Sequence, residues 1–117
     1  MAETKSEILQ GTLDLMVLQT LAAMGPMHGY GVARRIEQLS ENALAVNQGT
    51  IYLCLIRLVQ RKWIKAVWGT SENNRKAKFY SITKAGQKQL KIEAEGWERV
   101  SGVIGRLLQL TPGGKTP

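Results

Sequence analysis

The segment from Thr12 to Met24 is apolar on almost every side of a helix. Leu13, Met16, Val17 and Leu21 recur at helical spacing, and Leu15 and Leu18 fill a second face. Such a helix cannot lie on a surface with one side in water, so the rest of the chain must cover it from more than one direction. Gly25-Pro26 stops it. A second helix is predicted over Tyr30 to Ser40, with Ile36 and Leu39 inward and Arg34, Arg35, Glu37 and Gln38 largely outward. With 117 residues, one modest core can form around these helices and a second cannot.

After a polar stretch, Asn47 is placed to cap a third helix from about Gly49 to Arg61. Its core face is Ile51, Leu55 and Leu58, and Thr50, Tyr52, Arg57 and Gln60 point away from that core. The period then changes. Ile64 to Trp68 and Lys78 to Ile82 have the pattern of strands, joined by the turn-forming residues Gly69 to Arg75. Thr83 caps a last helix from Lys84 to about Leu110, in which Leu90, Trp97 and Ile104 recur every seven residues with Ala94, Ser101 and Leu108 between them. One such seam has no partner inside so small a domain. The tail, Thr111 to Pro117, holds two Pro and two Gly and is expected to be disordered.

Three helices followed by a two-stranded hairpin are the order of a winged helix-turn-helix, so the predicted class is α+β and mainly α. Its expected parts are a winged-helix domain over 1–83, a dimerisation helix over 84–110 and a tail over 111–117. Charge says what such a scaffold would meet. Between Arg57 and Lys91 stand ten basic residues and one acid, Glu72, so this stretch holds +9 while the whole chain holds +7. Cations concentrated on a hairpin beside a third helix suit double-stranded DNA, where they neutralise phosphates while the helix presents polar groups to base edges. Arg75, Lys76 and Lys78 supply the hairpin, and Gln48 and Thr50 lie where the start of the helix can approach bases or phosphate.

Other classes are disfavoured. RNA readers usually display base-stacking aromatics, and this hairpin tip has none. No clustered acids, metal ligands or nucleophile set point to an enzyme, a metal or a cofactor. Gly113-Gly114-Lys115-Thr116 lacks the earlier glycine of a phosphate-binding loop, since Gln109 stands there. The lone Cys54 excludes a disulfide framework and is expected as a small apolar filler. The polar Met1 to Glu7 and the absence of a long apolar run argue for a cytosolic protein, off the membrane. Trp63 and Trp68 flank the first strand and are expected to pack there. The main rival to DNA binding is a ligand- or protein-binding module that has kept the winged fold.

Five stretches together resemble the PadR-like transcriptional regulators: Gly11-Thr12-Leu13-Asp14-Leu15, Met27-His28-Gly29-Tyr30-Gly31, Gly49-Thr50-Ile51-Tyr52, Arg57-Leu58 and Tyr80 to Gly86. The resemblance runs from about Leu9 to the last helix, as in the short subgroup with one C-terminal helix. It implies a bacterial repressor, a homodimer built from the first and last helices, and in some members a small-molecule pocket at the dimer interface. On matching positions it implies that Thr50 and Tyr52 face DNA and that His28 and Tyr30 lie near phosphate. With the residues above, the expected DNA contacts are Gln48, Thr50, Tyr52, Arg57, His28, Tyr30, Arg75, Lys76 and Lys78. The expected dimer contacts are Leu13, Met16, Leu90, Trp97, Ile104 and Leu108. Trp97 could pack on the partner or stack on a small aromatic effector. One position departs from the family: the Tyr of the third helix is usually followed by Pro, and here Leu53, which a helix interior tolerates far better, takes its place.

Overall fold

The computed structural model describes residues 10–116 except positions 42 and 45; the polar stretch Met1–Glu7 and the last residue, Pro117, lie outside the described residues. The elements follow in the order α1 (Gln10–Met24), β1 (Met27–His28), α2 (Gly29–Leu39), α3 (Gln48–Gln60), β2 (Ile64–Thr70), β3 (Lys76–Ile82) and α4 (Lys84–Leu108). This is the predicted winged helix, mainly helical, with one small antiparallel sheet.

Local chemistry sets the helix ends. His28 Nδ1 accepts the Gly31 N–H at 3.0 Å, Asn47 Oδ1 accepts that of Thr50 at 2.7 Å, and Thr83 Oγ1 accepts that of Gly86 at 3.0 Å, so α2, α3 and α4 each open on a side-chain cap. At the end of α3, Trp63 N–H reaches back to the Leu58 carbonyl at 3.1 Å and Lys62 N–H to that of Val59 at 2.9 Å. This paired closure needs a left-handed residue, and Lys62 takes φ 64°. Leu53 lies inside α3, whose first turn Asn47 has already fixed.

Leu13, Val17, Leu18 and Leu21 of α1 meet Val32, Ala33 and Ile36 of α2 and Ile51, Leu55 and Leu58 of α3, all buried, with Ile64 and Tyr80 closing the core from the sheet. The all-round apolarity of α1 is thereby explained. One side enters this core, while Leu15 and Met16 on another are partly buried toward α4, which packs along α1. Leu13, expected at a dimer interface, is only 1% exposed and belongs to the protomer's own core.

The sheet order is β1-β3-β2. The register Ile64↔Ile82, Ala66↔Tyr80, Trp68↔Lys78 and Thr70↔Lys76 puts these eight side chains on one face, which begins in the core and runs out along the wing. Strand β1 was not anticipated. Two residues show no alternation, and Met27 and His28 become a strand only by pairing with Tyr80 and Phe79. The wing tip closes through Ser71 N–H to the Arg75 carbonyl, 2.8 Å, and Asn74 N–H to the Ser71 carbonyl, 2.9 Å, with Asn74 at φ 57°.

Leu90 also packs on the protomer's own core. Beyond it α4 continues along α1 as far as Trp97 and Val100, its last turns run free of the rest of the protomer, and the molecule is drawn out to 61 Å along its longest axis. Trp97, Val100, Val103, Ile104, Leu107 and Leu108 are exposed along this half of α4. After α4, Thr111 and Lys115 pair across a turn.

Candidate nucleic-acid interface

The pairing of β1 with β3 brings the start of α2 beside the wing, and the start of α3 faces it across a concavity of about 570 Å³. Seven of the nine expected DNA contacts line this space: His28 and Tyr30 from the start of α2, Gln48 and Tyr52 from α3, and Arg75, Lys76 and Lys78 from the wing. No described acidic residue lines it. Three cations therefore share one concavity with no carboxylate to offset them, an arrangement that attracts anions. Thr50 lies outside the lining, exposed on the first turn of α3 with its backbone N–H taken by Asn47.

Aromatic side chains, His28, Tyr30, Tyr52 and Tyr80, form much of the lining. The His28 ring stacks on Tyr30, with centroids 6.3 Å apart, and meets the edge of Phe79 at 6.0 Å. Because Nδ1 caps α2, Nε2 is the ring atom left for any other polar contact. Tyr80 closes the floor, and burial, with a smaller contribution from nearby Tyr52, pushes its phenol above the ordinary range, so it is a neutral hydroxyl at physiological pH.

Arg57 is placed otherwise than expected. Its Nη2 donates to Asp14 Oδ1 at 2.6 Å, so its guanidinium ties α3 to α1 instead of standing free for DNA. Asp14 is 5% exposed in the middle of the apolar helix, where an unpartnered carboxylate would be costly. Arg61 Nη1 lies 3.7 Å from its other oxygen, and Cys54 Sγ donates to Oδ1 at 3.1 Å. Cys54 is buried as expected, but it is more than a filler. Burial first, then the hydrogen bond and charge of Asp14, raise its thiol pKa well above the usual range against the opposing pull of Arg57. The thiol stays protonated and donates. Sequence reading missed this cluster; the signal that could have found it is that Asp14 is the one charged residue of a largely apolar α1 and so requires a cation, although nothing in the sequence says which.

The tryptophans divide. Trp63 packs against the core with the Arg61 guanidinium 5.2 Å from its ring centroid. Trp68 is 59% exposed on the wing, where packing was expected, with the ammoniums of Lys76 and Lys78 at 5.7 and 5.5 Å from its centroid. Trp97 borders a second, largely apolar cavity of about 460 Å³ between α1, the end of α2 and α4, with Leu15, Met16, Ile36 and Leu39 among its walls. No helix among the described residues is long and apolar enough to cross a membrane.

A helix-turn-helix core, a wing folded beside its third helix and a cationic concavity between them define the winged-helix class of regulator. Within that class the chain belongs to the PadR-like family of transcriptional regulators, whose model matches residues 17–92. The family is one of regulators, not enzymes. The fold is similar to that of a PadR-like transcriptional regulator from Bacillus cereus, with TM-score 0.76 and 28% identity over 88% of this chain and 97% of that one. It is similar too to a transcriptional regulator from Clostridium thermocellum, with TM-score 0.74 and 28% identity over 82% of this chain and 92% of that one. An uncharacterised protein of Lysinibacillus sphaericus is 27% identical over 100 residues, which span 86% of this chain and 91% of its own.

Proposed function

We propose that this chain is a cytosolic repressor that binds double-stranded DNA as a homodimer. Its two α3 helices enter major-groove segments of a pseudo-palindromic operator about one helical turn apart, and the wings hold the flanking phosphates. The observation that carries this reading is the shared, acid-free concavity to which α2, α3 and the wing each contribute. Selectivity rests on Gln48, Thr50 and Tyr52. The test is binding to operator and to random duplex. Thr50→Ala or Tyr52→Ala should weaken operator binding by about 1 to 3 kcal/mol and random-DNA binding much less. Equal losses on both would reduce these residues to phosphate contacts. A chain that binds no duplex at any salt would instead be a ligand- or protein-binding module.

The dimer is proposed to form along the free part of α4, helped by α1. The exposed stripe of Trp97, Val100, Ile104 and Leu107 at steps of three and four residues is one helix face that the protomer leaves open. Gly96, Gly102 and Gly105 weaken that helix by up to about 1 kcal/mol each in an exposed interior, so it depends on being covered. Ile104→Lys with Leu108→Lys should convert the dimer to a folded monomer in sedimentation equilibrium, since both side chains are exposed in the protomer and contribute little to its core. A double variant that still sediments as a dimer would place the interface elsewhere. The cavity beside Trp97 is the proposed seat of a small aromatic effector that releases the operator.

A further inference from the structure

Trp68 has no place in the core, yet the wing presents it. A large indole that remains 59% exposed on a hairpin leaves apolar area in water, and its surroundings indicate what it does there. The ladder sets Trp68 directly opposite Lys78, and Lys76, paired with Thr70, sits on the diagonal of the same face. Both ammoniums come to rest over one ring, at 5.5 and 5.7 Å from its centroid. Both lysines also line the concavity between the wing and α3.

We propose that Trp68 is a positioning residue of the wing: its indole holds Lys76 and Lys78 together so that both meet the phosphate backbone of one DNA strand. This rests on the DNA-binding reading and deepens it. A free lysine gives up considerable rotamer freedom when it is fixed on a phosphate, and two neighbouring ammoniums repel each other. The negative face of an indole, the best ring for the purpose, offsets both effects in the unbound protein. The paired charge then stands ready, and a polyanion relieves the remaining repulsion. Arg75, outside the reach of this ring, is held by the turn instead, its backbone N–H bonded to Ser71 Oγ at 3.3 Å.

A purely structural Trp68 would stabilise the hairpin and nothing else, so the test separates bulk from ring charge. Duplex binding is measured at several salt concentrations for the parent, Trp68→Phe and Trp68→Leu, each also in a Lys76→Ala/Lys78→Ala background, with thermal melting followed in parallel. Trp68→Leu keeps apolar bulk and loses the quadrupole. It should weaken binding to operator and random duplex alike by about 3- to 10-fold. The slope of log affinity against log salt should become shallower by about 1 to 2. Trp68→Phe should recover most of the loss, and Trp68→Leu should add nothing once both lysines are gone. Unchanged affinity and slope in Trp68→Leu, while the parent binds DNA, would overturn the positioning role alone. A loss that persists without the lysines would also overturn it, because the indole would then touch DNA itself. A parent that binds no duplex would remove the DNA reading and this role together.

Discussion

Replacing Arg75, Lys76 and Lys78 together by alanine should make the dependence of DNA affinity on salt shallower by about 2 to 4 units of slope in log–log form. Each neutralised phosphate contributes about 0.9 to that slope, and three cations present twice in a dimer set a ceiling of about 5. The expectation lies below the ceiling because exposed cations on a hairpin do not all form contacts. All three side chains line the concavity beside α3 and are exposed, so the loss should fall on operator and random duplex together. Folding should be little affected. None of the three takes part in an ion pair among the described residues, and exposed charges contribute little to stability. The measurement is a fluorescence titration across several salt concentrations. An unchanged slope on both duplexes would mean that the wing does not touch DNA.

Gly86→Ala should destabilise the fold by about 3 kcal/mol or more, a large share of the roughly 5 to 15 kcal/mol available to a domain of this kind. Gly86 is buried in the first turn of α4, and a Cβ there would stand 1.9 Å from the Trp63 carbonyl oxygen and 2.8 Å from Ile82 Cγ1. The neighbour that must give way is backbone already in use. The Trp63 carbonyl accepts the Thr83 N–H at 3.0 Å, and Thr83 Oγ1 donates to the Lys62 carbonyl at 2.7 Å, so the start of α4 is fastened to the end of α3 on either side of the contact. Relief would require breaking that junction. Thermal melting should show a fall of about 10 °C or more. The same substitution at Gly105, where nothing lies within 4 Å, should be neutral or stabilising, since alanine favours a helix over glycine by up to about 1 kcal/mol. Equal melting points for the two variants would remove the steric argument.

Much of the architecture was legible because its signals are local. Asn47 and Thr83 cap the helices they were expected to cap, since a side chain that accepts an N–H three residues on acts within one turn. Observed helix bounds differ from the predicted ones by at most two residues at either end, and the strands continue toward the tip because Gly69↔Ala77 and Thr70↔Lys76 extend the ladder. His28 shows where local reading falls short. Its cap on Gly31 and its stacking on Tyr30 are local contacts, but its edge contact with Phe79 depends on β1 meeting β3.

The last helix illustrates the same division. A strict seven-residue repeat picked out Leu90, Trp97 and Ile104, yet Leu90 packs at home and the open face includes Val100, Val103 and Leu107. Periodicity identifies a face of a helix; how far along that face the protomer's own core extends depends on where α1 lies.

The sequence by itself determined the order of the four helices and the hairpin, the caps at Asn47 and Thr83, the concentration of cations on the hairpin and the polar start of α3, because each depends on residues within a few positions of one another. Tertiary structure alone decided the rest. Asp14 selects Arg57 across 43 positions and withdraws it from the expected DNA face. Leu13 turns into the core, a two-residue strand joins α2 to the wing, and Trp68 gathers Lys76 and Lys78. The physical reason is common to these cases: a buried charge, an edge strand or an exposed ring takes its role from whichever group the folded chain brings within a few ångströms, and spacing along the sequence does not encode that distance.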